Sequence, residues 1–323
     1  MHAVPTGGDM PRADLLVYPN VAPQPTMVGG TAVRGDVMFT DHQGEENKRI
    51  KKREEKQLLK LAPALQRILL PEESVLFVAR CQSPLSAFEQ LTAAWWTQML
   101  AAAAIVITNT RVLFFPVKRD GSWRESVRSA RWGDIVSVKS KGFLVLNVEF
   151  QFRDGSKLSY RGFRRADAKK IASIAPPILQ AATGEISAAQ GVTQLCPDCR
   201  GNLTPQVYTC SGCGLTFKNE KSMIMRSIFL PAGGYFYTGH PMIALIPALV
   251  EVFFLLDVVL ILVGGLRSPA AVQGLLGALM GLAIIWVLET AITILHCRRY
   301  IREFIPEKRD PMRQQAFGAK IGS

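Results

Sequence analysis

Hydrophobic and polar positions along this chain fall into distinct regimes. Between 45 and 71 a charged run, Glu45 to Lys56, gives way to Leu58, Leu59, Leu61, Leu65, Ile68 and Leu69. That spacing predicts a charged helix with an amphipathic end, broken or kinked near Pro63. From 72 to 182 short β-rich runs follow one another: Ser74–Ala79, Ile105–Thr108, Arg111–Val117, Asp134–Val138, Phe143–Phe152 and Leu158–Tyr160. Asp154-Gly155-Ser156 reads as a hairpin turn, and Ile171, Ile174, Ile178 and Leu179 at helical spacing close the module with an amphipathic helix. Leu91–Thr108 is apolar, but its Thr92, Thr97 and Gln98 favour a helical excursion entering a buried strand over a membrane span. Further on, Met242–Leu266 and Ala270–Leu295 are almost wholly apolar and separated only by Arg267-Ser268-Pro269. At 1.5 Å rise per residue each is long enough to cross a hydrocarbon layer about 30 Å thick, so the pair predicts a tight transmembrane hairpin. Residues 1–44 show no periodicity among their many Pro and Gly residues; they read as a disordered arm without a signal-peptide layout. The fold class that results is a multidomain α+β membrane protein.

Composition alone says less. The chain has 323 residues, 48% of them hydrophobic, and a formal net charge of +12, which suits nucleic acid, anionic lipid or the inner face of a membrane equally well. Divided along the chain, that charge is −2 over 1–44, +4 over 45–71, +7 over 72–182, 0 over 183–218, −1 over 219–297 and +4 over 298–323. Lys218, Lys221 and Arg226 precede the hairpin and Arg298, Arg299 and Arg302 follow it, against one Arg in the connector. Positive residues stay inside, so both termini are expected in the cytosol, at the inner membrane of a bacterium. The charge is therefore mainly a statement of topology.

The most specific motif is Cys196-x-x-Cys199, ten residues, then Cys210-x-x-Cys213. Two short knuckles bring four thiolates to the corners of one tetrahedron, and four protein ligands close the coordination sphere. One structural, non-catalytic Zn²⁺ is expected, and a ribbon this small needs it to fold. Two disulfides would require an oxidising compartment, and a redox C-x-x-C lacks its usual βαβ context. The segment resembles a zinc ribbon of rubredoxin-like knuckles, with Arg200 standing where the first knuckle often has glycine. Because 183–218 is neutral even before four thiolates are counted, nucleic acid is not the expected partner.

The order of elements in 72–182 resembles the bacterial pleckstrin-homology-like, or GRAM-like, domain. The resemblance is carried by Pro71-Glu72-Glu73, by Ile107-Thr108-Asn109-Thr110-Arg111-Val112-Leu113-Phe114-Phe115, by Trp132-Gly133-Asp134-Ile135 and by Asp154-Gly155. It implies a small barrel or sandwich that binds headgroups or peptides. Lys48, Arg49, Lys51, Lys52, Arg53, Arg164, Arg165, Arg298 and Arg299 are the candidate contacts for anionic lipid. The lead-in at 219–241, with Pro231, Gly233-Gly234, Tyr237 and Gly239, resembles small bacterial membrane hairpins. The domain plan is thus an arm (1–44), a helix (45–71), a pleckstrin-homology-like module (72–182), a linker (183–195), a zinc ribbon (196–218), an interfacial segment (219–241), two spans (242–297) and a basic tail (298–323).

Within the spans, Glu251, Asp257 and Glu289 are costly in lipid and mark candidate polar sites. Folding the hairpin about residue 267 or 268 sets Glu251 opposite about 284 and Glu289 opposite about 246, so no two carboxylates are expected to meet, and His240 is placed near His296. A Gly277-x-x-x-Gly281 surface suits close helix packing in a homo-oligomer. No Ser/His/Asp grouping appears, so an enzyme is not expected. The reading is a membrane-anchored, cytosol-facing scaffold that presents its modules to protein partners, with anionic lipid as a further contact. Its rivals are an oligomeric channel or transport subunit using the three carboxylates and a membrane-associated nucleic-acid binder.

Overall fold

The structure is a computed structural model and describes residues 25–86, 89, 101–143, 145–181, 186–264 and 269–307. The chain divides into two units, residues 1–86 with 97–202 and residues 87–96 with 203–323.

The first unit begins with β1 (Thr26–Val28), β2 (Thr31–Val33), α1 (Gly35–Met38) and α2 (Lys48–Ile68). A four-strand meander follows, β3 (Val75–Gln82), β4 (Ala102–Thr108), β5 (Arg111–Pro116) and β6 (Val127–Arg131). After a 3₁₀ turn at Trp132–Asp134 come β7 (Ile135–Lys141), β8 (Leu146–Phe152) and β9 (Lys157–Phe163), then α3 (Arg165–Ala181) and β10 (Thr193–Leu195). Strands β3 to β6 pair antiparallel in sequence order, as do β7 to β9; the two groups meet where Gln82 of β3 pairs with Arg161 of β9. In β4 and β5 successive side chains alternate between two cores. Ile105, Ile107, Val112 and Phe114 join Phe150, Tyr160 and Ile171 on one face, whereas Ala104, Val106, Leu113 and Phe115 join Leu58, Leu61 and Leu65 of α2 on the other. Burial on both faces accounts for the near-continuous apolar runs.

This arrangement corrects three expectations. The amphipathic face of α2 is used up in covering the sheet, so 45–71 belongs to the same unit as the strands. The helix also runs unbroken through Pro63, which is exposed; water can take the hydrogen bond that the Leu59 carbonyl loses there. The disordered-arm expectation fails over 25–44. Gly29 and Gly30, both at positive φ, turn β1 into β2, and Val33, Met38 and Phe39 fill the core beneath α2. Residues 1–24 lie outside the described residues, as does most of the 91–101 stretch; β4 is the buried strand expected at its end.

The residues that carried the domain resemblance are stitched together. Glu73, 1% exposed, accepts from Arg111 Nε (2.9 Å) and Nη2 (2.7 Å), from Thr108 Oγ1 (2.7 Å) and from Leu70 N–H (3.0 Å). Asn109 Oδ1 accepts from Ser74 N–H, and Trp132 Nε1 donates to the Thr108 carbonyl. Asp134 accepts from Ser187 through both its backbone N–H and its hydroxyl, and Arg153 N–H donates to the Asp134 carbonyl. These side chains hold strand ends together.

The second unit contains α4 (Glu220–Phe229), α5 (Gly233–Thr238), α6 (Pro241–Gly264) and α7 (Pro269–Arg302). Helices α6 and α7 are long and apolar enough to cross a membrane, with mean hydropathies of 2.7 and 2.1 over windows only 11% and 6% buried. At Gly234 an added Cβ would lie 2.3 Å from Ser227 Oγ and 2.7 Å from Thr293 Cγ2, so glycine lets α5 press against α4 and α7. The tail does not simply leave after α7. Pro306 bridges to Phe217, Lys218 N–H donates to the Ile305 carbonyl and Glu307 N–H to the Thr216 carbonyl, with the Phe304 ring edge-on to Phe217 at 5.5 Å.

Candidate functional site

Strand β10, paired with β6, delivers Leu195 into the core and leads directly into the first knuckle. There Cys196 N–H donates to the Gly201 carbonyl (2.8 Å) and Arg200 N–H to the Cys196 carbonyl (3.0 Å). The second knuckle repeats the pattern: Cys210 N–H to the Leu215 carbonyl (2.8 Å) and Gly214 N–H to the Cys210 carbonyl (2.9 Å). Arg200 and Gly214 occupy the same left-handed position, at φ of 64° and 70°. Arg200 thus adopts a conformation that favours glycine, and its Nε donates to the Arg67 carbonyl at 2.8 Å. One bridge, Thr209 to Thr216, flanks the second knuckle, with Phe217 N–H bonded to the Tyr208 carbonyl.

The four sulfurs lie within 4.8 Å of one another. A tetrahedral ion with metal–sulfur bonds of about 2.3 Å needs its sulfurs about 3.8 Å apart, so the set fits one metal ion with every coordination position supplied by the protein. Cys196 and Cys210 are buried, Cys213 is half-buried and Cys199 is exposed. Cys81 and Cys297 are not part of the cluster. Both are buried, and burial pushes the Cys81 thiol well above its ordinary value.

The membrane carboxylates are arranged otherwise than expected. Glu251 and Glu289 come together as electrostatic neighbours across the hairpin. Glu251 is only 5% exposed, Glu251 Oε1 and Glu289 Oε2 receive no donor, and Thr293 Oγ1 donates to Glu289 Oε1 at 2.6 Å. Matching Cα heights placed them about five residues apart, roughly 7.5 Å along the axis. In an antiparallel pair, however, each side chain leans toward the N-terminus of its own helix, and here the two lean toward each other. Asp257, on another face of α6, is exposed. His240 stacks on Tyr300 at 3.9 Å, while His296 Nδ1 is 2.5 Å from the Tyr235 hydroxyl, a pairing that apolar periodicity could not reveal. Burial pushes the Tyr235 phenol well above its ordinary value. Gly281 packs against Phe254 of the same hairpin, whereas Gly277 faces open space.

The nine candidate lipid-contact cations separate into two sets. Lys48, Arg49, Lys51, Lys52, Arg164 and Arg165 are exposed. Arg53 is held by Glu54 (2.6 Å) and Asp167 (2.8 Å), Arg298 by Glu220 (2.6 Å), and Arg299 by Glu89 (3.6 Å) and Glu303 (3.7 Å). A buried charged group escaped the sequence reading altogether. Lys170, 4% exposed, donates to the carbonyls of Met38 and Thr40 and lies 4.9 Å from the Phe77 ring centre, near Glu54 and Asp167. Burial brings Lys170 down to about 8 and lifts Glu54 to about 7 despite the adjacent Arg53.

Comparison of the chain with protein-family models, curated proteins and solved structures finds no match.

Proposed function

We propose that this chain is a membrane-anchored scaffold of the bacterial inner membrane, facing the cytosol, in which one structural Zn²⁺ holds the four-cysteine ribbon and a pleckstrin-homology-like sheet module presents a surface to protein partners. The observation that carries the reading is the closed set of four cysteines in a chain that also has two exposed apolar helices. A metal with four protein thiolates has no open position for substrate and contributes folding energy. The sheet reading is supported by the four-strand and three-strand meanders followed by α3. Anchoring would raise the concentration of the modules near other membrane proteins. In-membrane cross-linking of the full chain tests this. Wild type is expected to capture defined membrane-protein partners that the Cys196→Ser/Cys199→Ser variant loses, while Glu251→Gln/Glu289→Gln keeps them.

A second reading is favoured by one specific observation, the Glu251–Glu289 pair. Two neighbouring carboxyl groups within a single hairpin suit binding of a proton or cation at membrane depth, in a transport subunit. Proteoliposomes distinguish the readings: ion flux that disappears in Glu251→Gln/Glu289→Gln and survives Cys196→Ser/Cys199→Ser would displace the scaffold.

A further inference from the structure

A cavity of about 320 Å³ in the sheet unit gathers basic side chains that the sequence keeps apart. Arg53, Lys56 and Lys60 enter it from α2, Arg80 from β3 and Arg164 from the start of α3, and none of its lining residues is acidic. The three from α2 stand at i, i+3 and i+7, one stripe of the helix on which like charges repel unless an anion lies between them. Two of the five are fixed by the turn around Gly121. Arg80 Nη2 donates to the Arg119 carbonyl at 2.9 Å and Lys60 Nζ donates to the Asp120 carbonyl, so each keeps further N–H donors for a ligand. Gly121 sits at φ 90°, and a Cβ there would come within 3.3 Å of the Lys60 side chain and 3.6 Å of the Arg80 guanidinium. The nearby Asp120 carboxylate is engaged by the Ser122 N–H and hydroxyl. Arg53 is offset by Glu54 and Asp167, while Asp167 also acts on Arg164 and Asp120 on Lys60, so five basic groups face three carboxylates and the cavity keeps a net positive surround.

We infer that this cavity is a binding site for a phosphate-bearing anion. Guanidinium groups offer paired N–H donors that match phosphate oxygens, lysines add point charge, and the volume is at the small end of ligand pockets, suited to one phosphorylated headgroup or a small phosphorylated molecule. The site is distinct from the exposed cations at Lys48, Arg49, Lys51, Lys52 and Arg165. It rests on the sheet unit alone and stands whether or not the scaffold reading holds. Lipid and soluble sources share this chemistry, and the experiment separates them.

The full chain is reconstituted in phosphatidylcholine nanodiscs and titrated calorimetrically with inositol 1,4,5-trisphosphate. Saturable binding is expected, weakened about tenfold or more by Lys56→Ala/Arg164→Ala, two exposed positions whose loss leaves both cores intact, since each charged hydrogen bond is worth a factor of that order. Lys52→Ala/Arg165→Ala removes the same charge outside the cavity and is expected to change affinity less than about twofold. Nanodiscs containing phosphatidylinositol 4-phosphate then identify the source: competition with the soluble probe assigns the cavity to lipid, and undiminished binding assigns it to a soluble ligand. Absence of saturable binding in wild type, or equal weakening in the two double variants, overturns the site.

Discussion

Among single residues, Glu73 carries the largest structural consequence. Burial alone would push its carboxyl up, but the two hydrogen bonds and the charge of Arg111, with Thr108 behind them, outweigh burial and hold it below the usual carboxylate range. Removing one partner of such a pair leaves the other charge buried and unmatched. Glu73→Gln is expected to destabilise the sheet unit by about 3–5 kcal/mol, whereas a double replacement of Glu73 and Arg111 by apolar residues costs markedly less. Denaturant unfolding of the full chain in detergent, monitored by the fluorescence of buried Trp132, measures both; a Glu73→Gln loss below about 1 kcal/mol would contradict the assignment. Because the folded value lies below the unfolded one, the pair's contribution is present above pH about 4.5 and drains away as pH falls through the folded value. The sequence showed these residues as a family-like motif. What it could not show is that Glu73 and Arg111, at opposite ends of the β3–β4 hairpin's chain, close on each other, because that closure depends on strand register.

At the scale of elements, charge and apolar spacing were legible and their partners were not. The α2 pattern predicts a charged helix with an amphipathic end, and Lys48–Ile68 is helical, yet a lone amphipathic stripe cannot say whether it meets lipid, water or a sheet. Leu58, Leu61, Leu65 and Ile68 meet the sheet, and beside them Glu54 is drawn into a cluster with Lys170 and Asp167. Burial lifts Glu54 to about 7 when folded, against about 4.5 unfolded, so the folded state holds its proton over that interval while the unfolded state has released it. The contribution of Glu54 to stability should therefore fall as pH rises from about 4.5 to about 7, by up to about 3 kcal/mol, and Lys170 begins to deprotonate only near pH 8. Glu73, whose folded value is lowered, adds a slope of opposite sign only at the low end of this window, near its unfolded value of about 4.5. Thermal unfolding of wild type and Glu54→Gln at intervals between pH 4.5 and 7.5 checks this: the variant should lose the slope, and parallel curves would rule it out. The cysteine ribbon is the opposite case. Its ligands lie within 18 residues of one another, so sequence spacing nearly dictates the geometry, down to the left-handed position that Arg200 fills in place of glycine. The Glu251–Glu289 pair failed to show because height along a helix was matched without the lean of the side chains.

For the molecule as a whole, membrane orientation and metal chemistry are one claim. Helix α7 has 34 residues and is about 51 Å long, well beyond the roughly 30 Å hydrocarbon layer, so in a membrane-crossing helix the final turns, with Arg298, Arg299 and Arg302, would lie outside that layer. Those turns end in Phe304 and the 305–307 segment, which is bridged to Thr216–Lys218, immediately after the second knuckle. The second knuckle and the C-terminal side of the hairpin therefore share one compartment, whichever way the hairpin is inserted. In the orientation we propose, basic residues on both flanks and a single Arg in the connector would make that compartment the cytosol, where thiols remain reduced and available to a metal. A reporter fused after Ser323 is expected to be active only in the cytosol, and the cysteines of intact cells should be protected from a membrane-impermeant thiol reagent until the membrane is opened. In purified protein the four-cysteine site is expected to hold one Zn²⁺ per chain by elemental analysis, and chelation should unfold the ribbon. A reporter found outside would reverse both conclusions together: the positive-inside assignment would fail, and the same four sulfurs, already within 4.8 Å of one another, would sit in an oxidising compartment where paired disulfides replace the metal.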